Sequence, residues 1–277
     1  MNKNPIINAI VARGISLPEK PVDLSGIFRD LGIRRVYLIA MTGRCGSTWL
    51  ATELAALPHS GNPVEYFSEE GIPHFASRYS GTDILEFFAA IINHGTADNV
   101  FGFKIDAMRL SWLSQVVDLK ASFPEDGVQW VDMRRLNIVK QAFSYARAKE
   151  TGVWHVFDTG TSQANVLTDS ETNLTLQGEK IWKEITRILE SEKFLDDLYK
   201  EMEITPFKIK YEELVDSKAQ ILRRIFYYLF PKRDFPVSTK EDVRKTMKLI
   251  ADSTQSDELA FVQDSAKMLN KLYSERR

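Results

Sequence analysis

Nothing in this chain constrains its folding more than the stretch VYLIAMTGRCGSTWLATEL, which begins at Val36. The apolar run Val36–Met41 reads as a buried strand. It passes directly into Thr42-Gly43-Arg44-Cys45-Gly46-Ser47-Thr48, after which a helix is expected over Ser47–Leu57. Two glycines let the backbone turn tightly and come close to a ligand. Ser47 and Thr48 can cap the helix and offer hydroxyl groups. Unpaired N–H groups at a helix start, reinforced by its dipole, favour an anion. Arg44 adds a fixed charge whose planar fork matches phosphate or sulfate oxygens. Strand, Gly-rich turn and helix together read as an anion cradle, set against the plainer reading of a strand-to-helix turn with a serine cap.

The commoner cradles do not fit. G-x-x-x-x-G-K-[ST] fails because no Lys precedes Ser47 or Thr48, and G-x-G-x-x-G is absent. A phosphatase-like reading would take Cys45 as nucleophile with an Arg six positions on, where Ala51 stands instead. A helix start can lower a thiol pKa, but Cys45 reads more simply as a small loop residue lending its backbone N–H.

Further apolar runs read as strands at Val100–Ile105, Val128–Met133 and Pro206–Tyr211. Helical spacing covers Thr82–Asn93, Leu110–Leu119, Asn137–Glu150, a long amphipathic stretch from Leu176 to Met202, and three segments after Tyr211. Strands separated by helices imply an α/β fold, a parallel sheet with helices on both faces. The polar stretch Gly160–Gly178 reads as a loop. No linker composition divides the chain, so one domain over 36–277 is expected, preceded by an extension over 1–35.

Composition narrows the function classes. Lys plus Arg (36) nearly balances Asp plus Glu (38), which argues against a general nucleic-acid coat. Cys45 is the single cysteine, so no internal disulfide or Cys-rich metal site is expected, and a reducing, cytoplasmic setting fits best. No run approaches the roughly 18 apolar residues of a membrane span, and no signal-peptide pattern opens the chain. The histidines His59, His74, His94 and His155 show no close ligand spacing, so no metal is expected.

Two more blocks are candidates for chemistry, set against the plainer readings of a solvated basic helix start and a solvated loop glutamate. In Trp130-Val131-Asp132-Met133-Arg134-Arg135-Leu136-Asn137 a strand ends and a helix starts, with Ser144 nine residues after Arg135. Ligands of open α/β sheets bind at such strand ends, so Arg135 and Ser144 can clamp a phosphate from two sides; Arg134 is the alternative to Arg135. Glu65 lies on the polar loop after Pro58-His59-Ser60-Gly61-Asn62-Pro63, short enough to return over the cradle. A carboxylate there can take a proton from a hydroxyl.

These blocks resemble a known family. The order strand, x-R-x-G-S-T-x-L, helix is similar to the 5′-phosphosulfate loop of sulfotransferases, which use 3′-phosphoadenosine 5′-phosphosulfate (PAPS). Arg44-Cys45-Gly46-Ser47-Thr48 followed by Gly61-Asn62-Pro63-Val64-Glu65-Tyr66-Phe67 looks most like the bacterial trehalose 2-sulfotransferase family. Rhizobial sulfotransferases of glycolipid and lipopolysaccharide sugars carry similar motifs. The resemblance implies a three-layer P-loop-like sandwich and sulfuryl transfer from PAPS to a carbohydrate or glycolipid hydroxyl, with no metal. It places the general base on Glu65. Arg44 and the N–H groups of Cys45, Gly46, Ser47 and Thr48 fall on the 5′-phosphosulfate, and Arg135 and Ser144 fall on the 3′-phosphate. Lys104 falls in a G-x-K element that can touch sulfate or substrate. Asn62 stands on the loop expected to face the acceptor, where relatives often carry Glu, and Trp154 closes a shared TGVW segment. The segment Ala251–Ser256 is faintly similar to a cofactor-contacting stretch. A homodimer is implied as well. The rival readings are a nucleotide-dependent kinase with a degenerate loop and a non-catalytic nucleotide- or anion-binding module.

Overall fold

The computed structural model describes residues 4–75, 77, 79–154, 178–236 and 255–276. In chain order its elements are α1 (Pro5–Val11), α2 (Ser25–Asp30), β1 (Arg35–Met41), α3 (Ser47–Ala55), α4 (Gly71–Phe75), α5 (Ile84–Gly95), β2 (Thr96–Ala97), β3 (Val100–Asp106), α6 (Ala107–Leu113), α7 (Leu119–Ser122), β4 (Val128–Arg134), α8 (Ile138–Thr151), α9 (Gly178–Met202), β5 (Phe207–Lys210), α10 (Tyr211–Leu229) and α11 (Gln255–Glu275). The chain forms two compact units, Met1–Leu136 with Ser191–Val237, and Asn137–Glu190 with Ser238–Arg277.

The first unit is built on a five-stranded sheet of order β2-β3-β1-β4-β5. β1 pairs in parallel with both β3 and β4, and β4 with β5; only the short β2 runs antiparallel. Side chains alternate across a strand, and β1 shows what that does when both faces are covered. Val36, Leu38 and Ala40 join a core with Phe101, Phe103, Trp130, α5 and α6. Tyr37, Ile39 and Met41 join another with Val131, Met133, Ile209 and side chains of α3 and α10. Burial on both faces explains the continuous apolar run, and each large aliphatic side chain so buried contributes about 1.5–3 kcal/mol. The result is an α/β fold of helix, sheet and helix layers.

Residues 4–34 take part in this core. Ile6, Ile10, Ile15, Leu24 and Phe28 are buried with the strands of the first unit. Their segment also interrupts the helix expected over Leu110–Leu119. Val22 forms a parallel bridge with Val117 and exchanges hydrogen bonds with Val116 and Asp118. Those backbone groups are lost to a helix, so α6 stops at Leu113, and Asp118 caps the separate α7 through Ala121 N–H at 3.0 Å.

The strand expected at Pro206–Tyr211 is shorter, Phe207–Lys210, because Glu213 accepts the Lys210 N–H at 2.9 Å and starts α10 at Tyr211. In the second unit α8, the first part of α9 and α11 pack Ile138, Ala142 and Phe143 against Ile181, Ile185, Phe261 and Leu269. Of the three helical segments expected after Tyr211, α10 and α11 are among the described residues; 237–254 are not. The loop expected over Gly160–Gly178 lies outside them up to residue 177, and Gly178 opens α9.

Candidate active site

The chain leaves β1 for β3 on one side and later returns to β4 on the other, so the strand order reverses beside β1. In parallel sheets that reversal opens a crevice at the carboxyl ends of the strands. The turn after β1 occupies this edge. Arg44 and Gly46 both adopt left-handed backbone, with φ of 66° and 90°. That conformation is unfavourable for Arg and suggests a backbone held for a purpose. Gly46 has a second reason to be glycine: a Cβ there would collide with the Tyr211 ring and stand 3.3 Å from Met133 Cε.

Gly46, not Ser47 or Thr48, is the N-cap of α3, and the helix has no side-chain cap. The expected hydroxyl capping is therefore corrected. Left-handed backbone at the cap suits glycine alone, which leaves Thr48 free to accept a hydrogen bond from Lys104 Nζ at 2.9 Å. Cys45 is fully buried, and burial pushes its thiol up to about 11 against the opposing pull of Ser47 hydrogen bonds. The thiol stays protonated, which argues against the nucleophile reading and leaves that of a small loop residue.

The loop carrying Glu65 is tied down from several directions. Tyr37 donates from inside the sheet to the Ser60 carbonyl at 2.6 Å, and Tyr66 donates to the Asn62 carbonyl at 2.7 Å. Gly61, at φ 72°, passes within van der Waals reach of Val100, where a Cβ would meet its carbonyl oxygen at 3.2 Å. Val64 then bridges Phe103 in parallel and accepts the Lys104 N–H at 3.1 Å. This short extension of the sheet sets Glu65 beside Lys104. Lys104 Nζ lies 2.5 Å from Glu65 Oε1, with the Lys104 side chain 6% and the Glu65 side chain 25% exposed. A buried ammonium is costly unless paired, and here both Glu65 and Thr48 satisfy it. Asn62 is exposed on the same loop.

The end of β4 separates the two candidate arginines. Arg134 is held by two carboxylates: its Nε donates to Asp132, and NH1 and NH2 donate to Asp196 at 3.1 and 2.6 Å. Burial works against its charge, but Asp196 and Asp132 together hold its pKa above the ordinary value. Arg135 instead lies with its guanidinium carbon 4.7 Å from the Tyr211 ring centroid. Tyr211 thus touches the neighbourhoods of both the cradle glycine and Arg135. Ser144 sits on α8 in the second unit.

Other singled-out residues have partners of their own. His59 Nδ1 pairs with Asp98 at 3.2 Å on the surface. Trp154 packs edge-on against Tyr145 with ring centroids 5.5 Å apart. The segment Ala251–Ser256 lies outside the described residues as far as Thr254. Sequence reasoning missed Arg109, which faces Glu65, Glu69 and Asp106. A usable signal was present, because an Asp at a strand end with Arg three residues on is a capping-compatible ion pair at the start of a helix. It also missed Tyr211, concealed at the end of an apolar run.

The fold and site define a class: an α/β protein with a glycine-containing strand-to-helix turn at the sheet's reversal point, and a carboxylate and a buried lysine beside it. The family can be given more closely. The family model described as Stf0 sulphotransferase matches residues 36–260, and the chain belongs to that family. It is thereby assigned to the sulfotransferases, a class of transferase. No curated protein matches the chain. Among the described residues no group of three or more His, Cys, Asp or Glu side chains could hold a metal ion, and no helix is long and apolar enough to cross a membrane.

Proposed function

We propose that the protein transfers the sulfuryl group of PAPS to a hydroxyl of a carbohydrate or glycolipid acceptor, with Glu65 as general base. The observation that carries this reading is the meeting of Glu65, Lys104 and Thr48 at the head of α3. Proton acceptor, cation and uncapped helix start are gathered where an oxyanion would sit. The cradle suits the donor's anionic end: no side chain caps α3, and Gly46 leaves no space that a Cβ could take.

When bound, PAPS supplies the sulfuryl group and leaves as adenosine 3′,5′-bisphosphate. Arg44 and the N–H groups of Cys45, Gly46, Ser47 and Thr48 would hold its 5′ end, and Arg44 offers charge without a proton. The resemblance assigns the 3′-phosphate to Arg135 and Ser144; Arg134, the alternative to Arg135, is paired with Asp132 and Asp196. Glu65 accepts the proton of the attacking hydroxyl. An ionised carboxylate has about four acceptor positions, so its contact with Lys104 leaves room for a hydroxyl. Lys104 places positive charge where negative charge develops, the largest usual source of acceleration. Asn62, exposed on the same loop, would face the acceptor.

Two measurements test this reading. Labelled PAPS is incubated with a panel of sugars and glycolipids including trehalose, and label is expected in one of them. Calorimetry compares adenosine 3′,5′-bisphosphate with ATP plus Mg2+. Tight ATP binding without bisphosphate binding overturns the assignment in favour of a nucleotide-dependent kinase.

A further inference from the structure

One guanidinium joins the Glu65 loop to the helix after β3. Arg109 Nε donates to Glu69 Oε2 at 2.7 Å, and NH2 lies 2.6 Å from the same oxygen. Its NH1 pairs with Asp106, which also accepts the Arg109 N–H as the cap of α6. The same NH1 stands 3.7 Å from Glu65 Oε2. Glu65 is therefore approached by two cations on different oxygens, Lys104 from β3 on Oε1 and Arg109 from α6 on Oε2. A loop glutamate facing solvent samples many rotamers, and holding it in one costs conformational entropy. Two cations on two oxygens restrict that rotation.

The fork of Arg109 is itself occupied by Glu69 and Asp106, which leaves it poorly placed to take a phosphate or sulfate. Burial opposes its charge, yet Asp106, Glu69 and Glu65 hold its pKa above the ordinary arginine value. It is a permanent cation whose reach toward the cradle runs through Glu65.

We propose that Arg109 is a positioning residue that, together with Lys104, keeps the Glu65 carboxylate ionised and in one orientation beside the cradle. The proposal rests on reading Glu65 as the base. Among the described residues, charged groups that meet that carboxylate or its two cations include Lys104 on β3, Arg109 and Asp106 at α6, and Glu69 on its own loop; the Thr48 hydroxyl reaches it through Lys104.

The test is a carbon-13 NMR titration of the protein labelled at its glutamate carboxyls. The Glu65 signal is identified as the one missing from E65Q. In R109Q the titration midpoint of Glu65 is expected to rise by about one pH unit or more, since an opposite charge at this range favours the ionised form. In R109K, which keeps charge but loses the fork, it is expected to rise by about half as much. Adenosine 3′,5′-bisphosphate affinity should stay within about threefold in both, because the cradle is intact. A midpoint unchanged in R109Q overturns the proposal; if R109Q does not fold, an unchanged midpoint in R109K does so. The base reading fails separately: E65Q that transfers label from PAPS at the native rate removes Glu65 as base and leaves the titration result as it stands.

Discussion

Lys104 Nζ and Glu65 Oε1 stand 2.5 Å apart although 39 residues separate them in the chain. The pairing exists because Val64 bridges Phe103, so that the loop runs as a short extra strand beside β3. Residues on such neighbouring extended segments meet side by side. Lys104 also donates to Thr48, so one ammonium spans Glu65 and the head of α3.

Replacing Lys104 by Met keeps the volume and removes that charge. Turnover is expected to fall about 100-fold, as for loss of one preorganised electrostatic donor, with a smaller change in adenosine 3′,5′-bisphosphate affinity. Steady-state rates beside calorimetry read both quantities. Equal turnover in K104M and the native protein would reduce Lys104 to a structural counterion.

Arg134 and Arg135 should separate cleanly. R135A is expected to weaken adenosine 3′,5′-bisphosphate far more than adenosine 5′-phosphate. R134A strips the buried Asp132 of its partner and is expected to cost about 3–5 kcal/mol of stability, read by denaturant unfolding. Equal losses for the two nucleotides in R135A would move the 3′-phosphate elsewhere.

Gly46→Ala combines left-handed backbone with a collision at Tyr211. The strained backbone alone is expected to cost about 1–3 kcal/mol, with donor binding weakened as α3 shifts. Adding Y211A should relieve the collision but not the backbone strain, so stability returns only in part. Full recovery in the double variant would show that the turn tolerates a side chain.

Cys45 provides a pH signature. Its thiol is pushed up to about 11 by burial, from an ordinary value of 9.0. Below about pH 9 the thiol is protonated in both folded and unfolded chains, and no stability change arises from it. Between there and about pH 11 only the unfolded chain gives up the proton, so stability falls as pH rises. Thermal unfolding across this range should show the slope, and C45A should lessen it. Thiol reagents at pH 8 should label the native protein far more slowly than the unfolded one; similar rates would mean that Cys45 is accessible.

Much of this architecture could be read from local pattern. Val36–Met41 is apolar throughout because both sheet faces are covered, and Gly46 announced a turn that admits no side chain. In one place where the reading went astray, a distant group had intervened. Val22 took the backbone of Val116 and Asp118 and divided the helix expected at Leu110–Leu119. At the head of α3 the reason was local: left-handed Gly46 became the cap, and the Thr48 hydroxyl, expected to cap the helix, accepts from Lys104 instead.

The sequence alone determined the α/β class, the strand–turn–helix order beginning at Val36, and the candidacy of Arg44 and Arg135, while Glu65 and Lys104 gained theirs from the family resemblance. Period, turn chemistry and helix-start patterns act over a few residues and need no partner from afar. Only the tertiary structure decided which charges meet: Glu65 with Lys104 and Arg109, Arg134 with Asp132 and Asp196, Arg135 with Tyr211. The reason is geometric. Parallel strand order brings the carboxyl ends of β1, β3, β4 and β5 to one edge. Ion pairs falling off within a few ångströms then depend on register and crossover, which no local pattern contains.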